Sequence, residues 1–247
     1  MTRGAVILAG LAASLAAQTT DPAKIIEELE KELAAHVRLL ADWAGLTRYG
    51  SENSEIALKS EPNRVVFLGD EITEMWGQGA EPFFPGKPYL NRGITGQTTP
   101  QMLVRFRQDV VSLKPRVVVI QGGSNDYAGN AGPATAGTIS ENIMTMTELA
   151  KVHGIRVVLV SLTPVCDCSK AAQGITLRRP HGRMLGLNEW MKEYAEKSGV
   201  GFVDLYSALA QGRVFKRELT ADGLIPSDAG YRVMGPLVER EIARVSR

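Results

Sequence analysis

Residues 64–73 read Arg-Val-Val-Phe-Leu-Gly-Asp-Glu-Ile-Thr. Four consecutive apolar residues that end at a Gly-Asp pair are typical of a buried strand that stops at a tight turn. A strand that is apolar on both faces is covered on both sides, which favours a parallel sheet between layers of helices. The stretch therefore predicts an α/β fold in which Asp70 and Glu71 directly follow the first strand.

The chain downstream alternates between short apolar runs and amphipathic segments. The apolar runs predict four further strands, at Tyr89–Asn91, Val117–Gln121, Arg156–Ser161 and Gly201–Asp204. Helical periodicity predicts helices at Pro100–Leu113, Ile139–His153, Met184–Lys197 and Asp228–Val245. This alternation predicts a mostly parallel five-stranded sheet, whose ligands bind beyond the carboxyl ends of the strands.

The N-terminal residues have the pattern of a secretory signal peptide. Arg3 supplies positive charge, and a short apolar stretch ends in small residues at position 17. The stretch is too short to span a bilayer, so we expect export to the periplasm or the exterior without stable membrane insertion after cleavage. A buried N-terminal helix is the alternative. Residues 18–63 are predicted to form a helix and a polar linker, and residues 64–247 the main domain.

Composition narrows the class of protein. The chain has 247 residues, 44% of them hydrophobic and 22% charged, as in soluble globular proteins. A net charge of +1 gives no reason to expect nucleic acid or an anionic membrane as a partner. The only cysteines, Cys166 and Cys168, are two residues apart, which permits a tight disulfide in an oxidising compartment or an incidental pair in a loop.

Four polar motifs occur where predicted strands end or where the last helix begins. They are Gly69-Asp70-Glu71, the loop from Asn91 to Thr99, Gly123-Ser124-Asn125-Asp126, and Asp222-Gly223-Leu224-Ile225-Pro226. In this order they resemble the motifs of the GDSL, or SGNH, hydrolases over nearly all of residues 64–247. Residues 42–44 and 83–89 resemble a bacterial branch of that family. The resemblance implies a three-layer, flavodoxin-like α/β/α sandwich and cofactor-free hydrolysis of a small-molecule ester or an acylated sugar.

The resemblance also assigns roles to individual positions. In the family a serine in the first motif attacks the acyl carbon, and a histidine in the last motif is its base. An aspartate three residues before the histidine orients it, and donors from the second and third motifs bind the oxyanion. In this chain Gly93 and Asn125 match the oxyanion donors, and Asp222 matches the orienting acid. Glu71 stands at the nucleophile position and Ile225 at the base position.

These two substitutions predict loss of ordinary Ser-His catalysis. A glutamate is a poor acyl nucleophile, and isoleucine can neither accept nor donate a proton. We hypothesise that the Glu71 carboxylate folds into the oxyanion site and accepts hydrogen bonds from the Gly93 N–H and the Asn125 amide. The sequence therefore favours a catalytically degenerate hydrolase homologue that keeps its ligand pocket.

An active hydrolase with rewired catalysis is the alternative. Glu71 and Asp222 could act as a pair of acid–base carboxylates, or they could hold a divalent cation. The simpler interpretation of Asp222 is that it caps the turn before the last helix. The family resemblance implies no metal and no cofactor.

Overall fold

The computed structural model describes residues 21–170 and 172–247, and it divides after Trp43 into two compact units. The predicted signal peptide, residues 1–17, lies outside the described residues. In the first unit, helix α1 spans Pro22–Ala41. Its start fits the sequence, because proline suits a first helical position and the Asp21 Oδ1 atom accepts a hydrogen bond from the Ala23 N–H at 3.0 Å.

The second unit, Ala44–Arg247, is built on a parallel sheet. Its strands are β1 (Val65–Gly69), β2 (Tyr89–Gly93), β3 (Val117–Gln121), β4 (Arg156–Val160) and β5 (Gly201–Val203). They lie in the order β2-β1-β3-β4-β5, and each neighbouring pair is parallel. The predicted five-stranded sheet is confirmed. A short antiparallel hairpin, β6 (Ala210–Gln211) with β7 (Val214–Phe215), follows it.

Helices cover both faces of the sheet. They are α2 (Gly50–Ala57), α3 (Glu71–Glu74), α4 (Thr99–Asp109), α5 (Ser124–Ala128), α6 (Ala136–Val152), α7 (Ile175–Arg178), α8 (His181–Ser198), α9 (Leu205–Leu209) and α10 (Asp228–Val245). Alternate residues of β1 enter opposite cores: Val66 packs in one with α4, α6 and α8, and Val65 packs in the other with α10. The three-layer α/β/α arrangement is thus observed.

The polar linker that we predicted within residues 18–63 contains helix α2, which the sequence did not indicate. Asn53 on this helix is buried, where its Nδ2 donates to Asp109 Oδ1 at 2.6 Å and its Oδ1 accepts from Arg92 Nε at 2.9 Å. Polar residues can be buried when their hydrogen bonds are satisfied. Helix α2 lies within the second compact unit, which begins at Ala44.

An irregular segment, residues 161–170 and 172–180, follows β4 and contains α7. A disulfide joins Cys166 to Cys168. The Cys166 N–H donates to the Gly223 carbonyl at 2.9 Å, so this segment packs against the loop that carries Asp222. Within residues 21–170 and 172–247, no helix is long and apolar enough to cross a membrane.

Candidate functional site

The sheet register places three polar loops side by side. Gly69, at the end of β1, pairs with Gly93 of β2 on one side and with Gln121 of β3 on the other. Because the strands are parallel, their carboxyl ends meet at one edge. Glu71, the loop after β2 and Asn125 therefore lie next to one another.

Glu71 directs its carboxylate into this cluster. The residue is 5% exposed and lies in the first turn of α3, whose start is capped by the Asp70 side chain at the Ile72 N–H. Its Oε2 atom accepts hydrogen bonds from Asn125 Nδ2 at 2.7 Å and from the Gly96 N–H at 2.9 Å. Hydrogen bonds to a carboxylate are stronger than those between neutral groups, so they hold this charge beneath the surface.

Asn125 is fully buried and uses both ends of its amide. Its Nδ2 atom also donates to the Gln97 carbonyl at 3.1 Å. Its Oδ1 atom accepts from Arg179 Nη2 at 2.6 Å and from Asn130 Nδ2 at 3.1 Å. Four partners therefore fix the amide with its donor end toward Glu71.

Arg179 supplies a positive charge that the sequence analysis did not assign to the site. It follows α7 in the irregular segment, is 4% exposed, and places Nη2 3.9 Å from Glu71 Oε1. Burial lowers the pKa of Arg179, while the Glu71 charge opposes that shift. Because an arginine guanidinium stays protonated in proteins, the two side chains form a buried ion pair.

Gly93 does not supply the backbone donor that reaches Glu71. Its N–H donates to Asn91 Oδ1 at 2.9 Å, and the Gly96 N–H takes the place that we predicted for it. Gly96 has a φ of +78°, a left-handed conformation that glycine adopts readily. In the sequence, this donor role of Gly96 is indicated only by its being a second glycine in the loop that follows β2.

Asp222 binds the backbone of its own turn. Its Oδ1 atom accepts hydrogen bonds from the Leu224 N–H at 2.9 Å and from the Ile225 N–H at 2.8 Å, which is the capping interaction of the simpler interpretation. Asp222 and Ile225 are both partly exposed. No group of three or more His, Cys, Asp or Glu side chains suited to a metal ion occurs in the described part of the chain.

Burial and nearby carboxylates raise the pKa of two further groups near Glu71, Asp70 and Tyr231. Burial raises the pKa of Asp70 well above its usual range, and the adjacent Glu71 charge raises it further. Burial also raises the pKa of Tyr231, and the charges of Asp70, Glu71 and Asp222 add to this effect. The Tyr231 hydroxyl donates to the Ile72 carbonyl at 2.9 Å.

The chain is similar in sequence and in fold to GDSL-like proteins of known structure. Residues 67–233 match the GDSL-like Lipase/Acylhydrolase family. An acylhydrolase structure from Bacteroides fragilis is 36% identical, with a TM-score of 0.76, over 83% of this chain and 99% of that chain. A GDSL-like lipase structure from Bacteroides thetaiotaomicron is 35% identical, with a TM-score of 0.74, over 81% of this chain and 98% of that chain.

The lipoprotein YqeF of Bacillus subtilis is a more distant relative. It is 33% identical over 81 residues, which are 32% of this chain. The match spans 33% of the length of YqeF.

Proposed function

Because the chain belongs to the GDSL-like lipase/acylhydrolase family, we propose that it is a catalytically degenerate carboxylic-ester hydrolase homologue. In this proposal the pocket binds a small-molecule ester or an acylated sugar and does not hydrolyse it. Family membership supports the ester as ligand class. Asp222 and Ile225, which stand at the acid and base positions of the family, are both partly exposed.

One observation carries the proposal: the Glu71 carboxylate occupies the donors that would stabilise an oxyanion. Both the Gly96 N–H and the Asn125 amide bind its Oε2 atom. A negative charge already held there opposes the negative charge that develops on an ester carbonyl during attack. Ile225, at the position of the base, cannot remove a proton from a nucleophile.

The rewired alternative needs Asp222 as a second catalytic carboxylate. The observed capping bonds from Leu224 and Ile225 give Asp222 a structural use instead. In this proposal Asp222 caps its turn, and a histidine introduced at position 225 would lie in the same turn.

We also propose that the protein is exported. The charged, apolar and small-residue pattern of residues 1–17 supports this, as does the description of YqeF as a lipoprotein. Fractionation of cells that express the full chain, with mass measurement of the mature N-terminus, tests it. A protein that keeps residues 1–17 and stays in the cytoplasm contradicts export.

Restoring the family residues tests the proposed function. The Glu71→Ser/Ile225→His double variant frees the oxyanion donors and supplies both a nucleophile and a base. We expect it to hydrolyse a short-chain aryl ester at least roughly 100-fold faster than the parent, since a positioned base alone contributes about that factor. The parent and both single variants should remain near the uncatalysed rate.

A matched control moves the serine by one helical turn. The Glu74→Ser/Ile225→His variant has the same change in composition, but Glu74 binds Thr95 rather than Asn125. It should remain inactive. If the parent hydrolyses the ester as fast as the restored variant, and loses this activity on Asp222→Ala, the proposed function is wrong and the rewired alternative is favoured.

A further inference from the structure

We propose that Gly96, Asn125 and Arg179 form a binding site for a small carboxylate, which Glu71 fills from within the protein. This inference deepens the proposed function and rests on its view that Glu71 occupies the ester site. It adds the buried positive charge of Arg179 to that site and specifies a carboxylate as the group that fits it.

The donors of this site do not depend on Glu71 for their positions. Asn125 is held at Gln97, at Asn130 and at Arg179. Gly96 is fixed by its carbonyl, which accepts from Asn130 Nδ2 at 3.0 Å. Shortening the side chain at position 71 would therefore leave an N–H, an amide NH₂ and a guanidinium around an empty space.

Arg179 gives the site its preference for an anion. Its side chain is 5% exposed, and its Nε atom is buried with no hydrogen-bond partner among the described residues. A buried cation that loses its partner is strongly destabilising. A free carboxylate can supply the missing charge, and its two oxygens match the geometry of a guanidinium and a neighbouring amide.

The Glu71 charge also determines which ligands the unmodified protein accepts. Its site already holds a carboxylate, so a second anion would meet like charge from Glu71 in a buried setting. We infer that the parent excludes acids at this position and accepts neutral groups that donate hydrogen bonds. The hydroxyl groups of an acylated sugar fit this requirement, and the acid product of ester cleavage does not.

Rescue by acetate tests the site. The Glu71→Ala variant is expected to unfold at a lower temperature than the parent. Sodium acetate should raise its melting temperature saturably, by about 2–4 °C relative to sodium chloride of equal ionic strength. The parent should show no difference between the two salts. Glu71→Ser leaves a similar vacancy and serves as a second variant.

Two control variants make the test specific. Glu74 also accepts a backbone N–H and pairs with an arginine, but Arg48 is 52% exposed and the 3.2 Å pair is open to water. Glu74→Ala should therefore show no acetate response. The Glu71→Ala/Arg179→Met variant should lose the response of Glu71→Ala, because it lacks the cation.

Equal acetate and chloride curves for Glu71→Ala and Glu71→Ser overturn the inference, as does an equal acetate response from Glu74→Ala. If neither position-71 variant folds in chloride, recovery of folded protein in acetate supports the inference and no recovery overturns it. Ester turnover by the parent would refute the proposed function while leaving the acetate result unaffected, so the two failures are distinguishable.

Discussion

Glu71 illustrates how a charged residue can occupy a buried position without unfolding the protein. An isolated carboxylate in the interior costs several kcal/mol unless it is paired and hydrogen-bonded. Here Asn125 and Gly96 supply hydrogen bonds, and Arg179 supplies the opposite charge. The arrangement explains how a side chain longer than serine fits at the end of β1.

Among the residues that the structure describes, no cation lies at hydrogen-bond distance from Asp70, and this leads to a pH-dependent prediction. Its folded-state pKa is raised, first by burial and then by the Glu71 charge. Below the unfolded pKa of about 3.9 both states carry the proton. Above it the unfolded state ionises first, so the contribution of Asp70 to stability decreases as pH rises toward the folded pKa.

We therefore expect Asp70→Asn to stabilise the protein near neutral pH. Asparagine keeps the ability to cap α3 and removes the cost of ionising a buried acid. The difference in melting temperature between variant and parent should increase as pH rises from about 4 to about 7. Thermal unfolding across this range measures it, and a difference that does not change with pH would contradict the prediction.

Asp167 provides a control of opposite sign. It is exposed, and hydrogen bonding from Thr176 lowers its pKa. Its contribution to stability is present above the unfolded pKa and is lost as pH falls through the lower folded value. Asp167→Asn should consequently reduce stability near neutral pH, with a difference that disappears in acid.

The site residues differ in how well the sequence predicted them. Asn125 was predicted correctly as a neighbour of Glu71, because both lie within four residues of the carboxyl ends of adjacent buried strands. The role was predicted for Gly93 rather than for Gly96, because the sequence does not show which N–H of this loop is free. Arg179 was missed because it lies in an irregular segment, where no periodicity indicates which side chain turns inward.

At the scale of elements, regular segments were predicted well and polar or irregular ones were not. The strands stand out as runs of apolar residues, and the boundaries of β3 agree with the prediction. Helix α2 was missed because its buried residue is Asn53, which local pattern assigns to a surface. Hydrogen-bond partners distant in sequence, such as Asp109, decide its burial.

The contact between β2 and α3 gives an element-level prediction. An ideal Cβ atom on Gly93 would lie 2.1 Å from the Glu74 backbone nitrogen, so the strand and the helix would have to separate. We expect Gly93→Ala to destabilise the protein by roughly 2–3 kcal/mol, as overpacking does. Urea unfolding measures this change in the free energy of unfolding.

Gly186→Ala is the matched control. Gly186 lies inside α8, and a Cβ there meets nothing within 4 Å. Alanine should raise stability by about 0.5–1 kcal/mol through its higher helix propensity. Equal effects of the two substitutions would show that the close approach of β2 to α3 is not maintained in solution.

At the scale of the whole molecule, the site connects the two cores of the sandwich. Ile72, next to Glu71, packs in the core that contains α10. Ile175 and Met184, on either side of Arg179 in sequence, pack in the opposite core. The ion pair between Glu71 and Arg179 therefore depends on both layers being folded at once.

We therefore expect the second compact unit, Ala44–Arg247, to unfold in one cooperative transition. Ile143 lies in one core and Ile242 in the other, on opposite faces of the sheet. Each Ile→Val substitution should lower the free energy of unfolding by about 0.5–1.5 kcal/mol, and the double variant by the sum, since distant sites are additive.

Urea unfolding followed by tryptophan fluorescence and by circular dichroism should give coincident curves, because Trp76 reports on one core and Trp190 on the other. If a single Ile→Val substitution produces a second transition, the two helical layers unfold separately. The ion pair between Glu71 and Arg179 would then break before the sheet unfolds.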